Sequence, residues 1–216
     1  MSLNLSDPII CLITKGEATP VNFDDASLQI LDIVNVAVDE NIPLVQIREK
    51  NLTAKLLFEL TSKVVKITKG SATRVLVNDR ADIAVAAGAA GVHLTSRSLP
   101  AEIIRKTFGT EFIIGVSTHD IDEAANAAAR GVDFSVFAPV FETPGKGAAV
   151  GLSELTNVCD KLDPFPVIAL GGVNRENYRS AIDAGAKGFA AIRSLNDPDE
   201  LRGIASEQRS STAISE

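Results

Sequence analysis

The stretch RVLVNDRADIAVAAGAAGVHL, residues 74–94, decides how the chain is organised. Arg74–Asn78 is a short run dominated by branched apolar residues. Ala81–Ala87 is an alanine-rich helical segment, Gly88 falls where that helix should stop, and Gly91–Thr95 is a second short apolar run. Runs of this kind, apolar on both alternating faces, read as strands buried on both sides, which is the situation in a parallel sheet. A strand, a helix and a second strand in so few residues make a βαβ unit.

Working outward, the same alternation repeats. Further strand-like runs are Ile9–Thr14, Pro43–Arg48, Phe112–Thr118, Phe134–Val140, Pro166–Gly172 and Gly188–Ser194. Between them lie Ser27–Glu40, Thr53–Lys69, Leu99–Phe108, Ile121–Arg130, Leu152–Leu162, Arg175–Ala184 and Pro198–Ala205, whose apolar residues recur at three- and four-residue steps. Asp120 and Asn174 are placed as N-caps, and Gly70, Gly109, Gly131 and Gly185 as helix stops. Eight strands alternating with eight helices form either a closed ring or an open doubly wound sheet. No GxGxxG follows the first strand, which disfavours the dinucleotide-binding sheet. The expected fold is α/β, a single (β/α)8 TIM barrel over residues 9–207. An N-terminal extension, 1–8, precedes it and a disordered tail, 208–216, follows.

Composition bounds the function. The 216 residues carry 45% hydrophobic and 23% charged residues, ordinary for a soluble globular domain. The net charge of -7 gives no support to nucleic-acid or membrane partners, so any anion must meet a local basic pocket. Cys11 and Cys159 have no metal-ligand spacing and read as reduced, buried thiols of a cytoplasmic protein. No apolar run is long enough to span a bilayer, and no charged-then-apolar leader is seen. A homodimer is compatible with the sequence, which does not decide the oligomeric state.

In barrels of this type the site forms where the strands end. Gln46, Arg48 and Lys50 fall on one face of the second strand, and two cations on a buried strand need an anion. The stripe fits an anion site or a structural ion pair. Asp79, after Asn78 at the third strand end, can hold magnesium through phosphate oxygens, or can pair with Arg80 or cap the next helix. The fifth strand ends in Ser117–Thr118–His119, and His119 suits proton transfer; His93 reads as a core or hydrogen-bonding residue. Phe141–Gly147 holds Thr143, Lys146 and two glycines and fits a phosphate-touching lid or a surface loop. Gly171 and Gly172 close the seventh strand. Arg193 and Ser194 close the eighth, where such barrels often build a phosphate pocket.

Seven segments in order, VQIREK (45–50), VNDRAD (77–82), AAGVHL (89–94), GVSTH (115–119), PVFETPGK (139–146), ALGGV (169–173) and AGAKG (184–188), resemble the thiamin phosphate synthase and TenI thiazole tautomerase superfamily. The resemblance runs from Cys11 to about Leu195. It implies a transferase that couples hydroxymethylpyrimidine diphosphate to thiazole phosphate and releases diphosphate. It further implies that Gln46, Arg48, Lys50, Asn78 and Lys146 hold the pyrimidine diphosphate and that Asp79 holds magnesium. Ser117 would contact the pyrimidine, and Thr143 and Gly172 the thiazole phosphate.

Two departures from the family pattern stand out. After Leu94 the family carries a Gly-Gln-acid-Asp run whose last acid is a second magnesium ligand. Here the chain reads Thr95–Ser96–Arg97–Ser98, and Ser98 brings no charge. Arg193 stands where the family has a phosphate-binding serine. The persistence of Gln46, Lys50 and Asp79 favours the synthase. The lost acid leaves room for a TenI-type tautomerase using His119, or for a non-catalytic paralogue that binds thiazole or thiamin phosphate.

Overall fold

The structure, a computed structural model, describes residues 8–212. Eight strands, β1 (Ile9–Ile13), β2 (Leu44–Ile47), β3 (Arg74–Asn78), β4 (Gly91–Leu94), β5 (Ile113–Thr118), β6 (Phe134–Phe137), β7 (Val167–Ala169) and β8 (Gly188–Ala191), close into a barrel in sequence order. Helices follow them: α1 (Phe23–Asp39), α2 (Ala54–Thr68), α3 (Ala81–Ala87), α4 (Ala101–Phe108), α5 (Ile121–Ala129), α6 (Gly151–Leu162), α7 (Tyr178–Asp183) and α8 (Pro198–Thr212). The expected (β/α)8 barrel is the observed fold.

The barrel comprises two compact units. Among the described residues, one is 8–10 with His93–Ala191; the other is Cys11–Val92 with 192–212. In the second unit, β1 pairs with β2 through Cys11–Leu44, Leu12–Val45 and Ile13–Gln46, and β2 with β3 through Leu44–Arg74 to Ile47–Val77. In the first, β5, β6, β7 and β8 pair successively, all parallel. All five residues of β1 and all four of β2 are buried, as two-sided coverage requires.

Most apolar runs are longer than the strands they contain, and the excess residues form the tips. β6 stops at Phe137 because Pro139 has no N–H to offer a ladder. β7 stops at Ala169, ahead of Gly171 and Gly172, whose φ angles of 97° and 64° lie outside extended backbone. β8 stops at Ala191, so Arg193 and Ser194 lie beyond it.

Three helix ends differ from expectation by three residues or more. α1 begins at Phe23 rather than Ser27: Phe23 is buried, and Asp24 and Asp25 suit a positive helix start. α7 begins at Tyr178 rather than Arg175, and Asn174 is not its cap. The Asn174 Oδ1 instead accepts from the backbone N–H groups of Glu176 (2.9 Å) and Asn177 (3.2 Å), a turn that competes with helix. α8 runs to Thr212, past the expected boundary at residue 207. Its last turn is tied by Arg209, whose guanidinium lies 2.8 Å from the Glu40 carboxylate. The rest of the expected tail, and nearly all of the expected N-terminal extension, lie outside the described residues. Asp120 does cap α5, accepting from the Glu123 N–H at 2.8 Å.

Both thiols are free and buried, and burial pushes Cys11 up to about 12 and Cys159 to about 11. No helix among the described residues is long and apolar enough to cross a membrane.

In the first unit, Arg105 of α4 binds the strands at their N-terminal ends. It donates to the carbonyls of Gly131 (3.0 Å), Gly109 (2.8 Å) and Phe112 (2.6 Å) and to the Asp133 carboxylate at 2.7 Å. Asp133 in turn accepts from the Ile114 N–H at 2.6 Å. In barrels of this type the site lies at the C-terminal ends of the strands, so contacts at the opposite end bear on stability. Arg105→Ala should therefore cost about 2–4 kcal/mol of unfolding free energy and leave phosphate binding unchanged, measured by urea denaturation beside ligand titration.

Candidate active site

In the second unit, the tips of β2 and β3 are linked by a chain of side-chain amides. Gln46 is 2% exposed, and its Nε2 donates to Asn78 Oδ1 at 3.2 Å. Asn78 Nδ2 donates to Asp79 Oδ2 at 2.7 Å. The chain leaves Gln46 Oε1 buried, with no hydrogen-bond partner among the described residues. A buried acceptor left open costs about 1–3 kcal/mol unless a ligand or water fills it. Asp79 itself is exposed at φ 61°, the left-handed region that aspartate tolerates better than most residues. That conformation turns the chain sharply at the strand end.

The alternatives at this tip resolve individually. Arg80 does not take Asp79. It grips Asp82 through two hydrogen bonds of 2.8 and 2.6 Å. The shared bonds raise the Arg80 guanidinium pKa and lower that of the Asp82 carboxyl. Nor does Asp79 cap α3, whose N-cap position is Arg80, without a side-chain cap bond. The Arg48 side chain forms no ion pair among the described residues; it folds over Gly16, where an added Cβ would lie 3.0 Å from its Nη1. Its backbone N–H donates to Thr14 Oγ1 at 2.8 Å. Lys50 is exposed. Arg193, past β8, is also exposed and has no ion pair among the described residues.

Glu49 is not among the candidates that the sequence offers. Its carboxylate is 3% exposed and accepts from the N–H groups of Gly16 (3.0 Å) and Ala18 (2.8 Å). It fixes the β1–α1 loop rather than neutralising Arg48 or Lys50. The available signal was the alternation itself: an acid on the opposite face of a two-cation stripe.

In the first unit, His93 of β4 and Ser117 of β5 meet, with Nε2 to Oγ at 2.9 Å. His119 lies elsewhere in character: its side chain is 58% exposed, with Nδ1 3.0 Å from Glu123 Oε2, which also accepts its backbone N–H at 2.8 Å. The loop after β6 is pinned at both feet. Val140 N–H donates to Leu170 O (2.8 Å), Phe141 N–H to Gly171 O (3.0 Å), and Val150 N–H to Pro139 O (2.8 Å). Thr143 Oγ donates back to Phe141 O at 3.0 Å. Lys146, on the exposed crown, makes no ion pair among the described residues.

Gly171 and Gly172 pack directly under these feet. A Cβ on Gly171 would lie 2.6 Å from Pro139 Cα, and one on Gly172 would lie 2.5 Å from Glu142 O. Their own N–H groups donate to nothing among the described residues, so two backbone donors stand ready for an anion. The six-residue α7 begins only at Tyr178, six residues past Gly172. Ser98, where a second metal-binding acid is expected in the family, closes its own turn: its Oγ accepts from the Thr95 N–H at 2.7 Å. No group of three or more His, Cys, Asp or Glu side chains that could hold a metal ion occurs among the described residues.

The family model for thiamine monophosphate synthase matches residues 11–195. The chain belongs to that family. Within it, a protein of Geobacter sulfurreducens is 42% identical over 174 residues, 79% of this chain and 81% of its own. The thiamine-phosphate synthase of Chlorobium phaeovibrioides is 35% identical over 205 residues, 94% of this chain and 92% of its own. The solved thiamine phosphate pyrophosphorylase of Pyrococcus furiosus superposes with a TM-score of 0.78 at 26% identity, covering 93% of each chain. In this member of the thiamine monophosphate synthase family, Gly171→Ala should lower unfolding free energy by about 2 kcal/mol or more, from the left-handed backbone and the clash with Pro139 together. Chemical denaturation of the variant checks this.

Proposed function

We propose that this chain is a thiamin phosphate synthase, which joins hydroxymethylpyrimidine diphosphate to thiazole phosphate and releases diphosphate. The observation that carries the reading is the buried, unsatisfied Gln46 Oε1 at the end of the Gln46–Asn78–Asp79 chain. An aminopyrimidine brings an N–H donor to such an acceptor, and the cations beside it suit the diphosphate that the same substrate carries. The named relatives, which are synthases, support the same reaction.

In this reading the bond from the pyrimidine methylene carbon to the diphosphate oxygen breaks, and its electron pair leaves with the diphosphate. The thiazole nitrogen then gives its lone pair to that carbon. Positive charge builds on the methylene and negative charge on the leaving group, so catalysis rests on electrostatic stabilisation already in place. Arg48 and Lys50 hold the diphosphate, and Arg48 has no competing carboxylate among the described residues. Asn78 fixes the Gln46 amide so that its oxygen faces substrate. Ser117 orients the pyrimidine. The Gly171 and Gly172 amides, with Thr143 nearby in sequence on the loop, hold the thiazole phosphate. Lys146 adds a mobile charge that closes over phosphate, and Arg193 and Ser194 extend the anion grip past β8.

Asp79 offers one carboxylate, and the described residues form no cluster of His, Cys, Asp or Glu that would hold magnesium alone. Magnesium typically leans on one or two carboxylates plus substrate phosphates, which Asp79 and the diphosphate together would satisfy. When bound, the ion would add charge neutralisation at the leaving group. The setting is the cytoplasm, where phosphorylated substrates are retained and the two buried thiols stay reduced.

Purified protein supplied with both substrates and a magnesium titration should form thiamin phosphate; no product at any magnesium concentration overturns the proposal. Lys146→Ala should weaken diphosphate or phosphate binding by about 1–3 kcal/mol, and an unchanged affinity in calorimetry would reduce the loop to a connector. His119→Ala should keep coupling within a few-fold of wild type, because the imidazole is exposed and engaged by Glu123. A much larger loss in steady-state assays would return His119 to the chemistry.

A further inference from the structure

We propose that His93 is a positioning residue for pyrimidine recognition, holding the Ser117 hydroxyl in one direction before substrate arrives. This rests on the synthase reading, in which Ser117 touches the pyrimidine. A serine hydroxyl has one donor and two acceptor positions and rotates among three staggered wells. Left alone on a partly exposed strand end, it would turn to whichever water was nearest. Here Oγ lies 2.9 Å from His93 Nε2, and that bond selects one well.

The imidazole can act as a fixed post because it is itself immobilised. His93 is 3% exposed, inside β4. The Phe134 ring of β6 lies 6.4 Å from it, centroid to centroid, at an interplanar angle of 38°. Gly115 of β5 leaves the space that both rings need. A Cβ at that position would strike the Phe134 ring and come within 3.0 Å of His93 Nδ1. Three neighbouring strands therefore converge on one ring, whose remaining edge meets the residue that contacts substrate. Fixing a binding group in advance spares the ordering cost when ligand binds. A core histidine chosen only to fill volume would need no such meeting with Ser117, and an apolar residue would fill the same space without a buried polar ring to satisfy.

The test compares steady-state kinetics of wild type, His93→Leu, His93→Gln, Ser117→Ala and the Leu/Ala double variant, each checked by thermal melting. His93→Leu should raise KM for the pyrimidine diphosphate about tenfold while KM for thiazole phosphate stays within twofold. His93→Gln, which keeps a hydrogen-bonding atom near the Nε2 position, should recover most of the loss. The double variant should be no worse than Ser117→Ala alone, since His93 acts through that hydroxyl. Losses that multiply, or KM values that rise equally for both substrates, overturn the proposal. If the leucine variant does not fold, the wild type still decides. Titrating pyrimidine diphosphate should shift the ¹⁵N resonance of His93 Nε2, whereas thiazole phosphate alone should not, and an unmoved resonance overturns it. Wild-type protein that neither binds nor turns over the pyrimidine diphosphate sinks the synthase reading first, and this proposal with it.

Discussion

A polar side chain inside a ring of parallel strands has no water to fall back on, so it must find a partner on the neighbouring strand. That constraint organises the tips of this barrel. Gln46 of β2 meets Asn78 of β3, His93 of β4 meets Ser117 of β5, and Thr118 of β5 meets Ser135 of β6. Even the backbone joins in, with Arg48 N–H on the Thr14 hydroxyl. Each bond crosses between adjacent strands, so each reports on the register of the ladder as well as on the orientation of a side chain. Below these layers the strands are apolar, with residues such as Leu12, Leu44, Leu76 and Ile114 sealed from solvent. The polar pairs can therefore be set with crystal-like precision, because close packing beneath them resists small shifts.

The same constraint sorts the charged residues by role. The buried carboxylate of Glu49 and the half-buried one of Asp133 are spent on backbone amides or on a guanidinium. Glu49 holds the β1–α1 loop, and Asp133 shares Arg105 with the Ile114 N–H. Cations at the tips are left differently. Arg48, Lys146 and Arg193 have no carboxylate partner among the described residues. In a net acidic chain, each such cation keeps a local positive potential that a carboxylate partner would cancel.

The barrel was legible because two-sided burial writes strands as apolar runs and because glycine marks helix ends. Gly88, for example, sits at the C-terminal end of α3 with the left-handed backbone expected of it. What the sequence hid were competitions settled by geometry. Asn174 has the composition of a helix cap, but its side chain serves a turn. The polar end of α8 has the composition of a tail, but Glu40, far away in sequence, holds its arginine. At the strand ends, residue types offered candidates and resemblance implied roles, yet neither told which polar atoms were already committed. His119, the candidate for proton transfer, is exposed and lies against Glu123. His93, expected only as a core or hydrogen-bonding residue, lies against Ser117. A one-dimensional string carries no record of which of two histidines has been spoken for.

The loop after β6 has its feet stitched to the β7 tip and to itself, while residues 144–148 between them are exposed. Such an arrangement localises any opening to a crown of a few residues and denies the strands below it any share in the movement. A protease that cleaves after basic residues would thus find its easiest substrate at Lys146. The nicked halves would remain one folded body, clamped by the neighbouring backbone and by the burial of Val140.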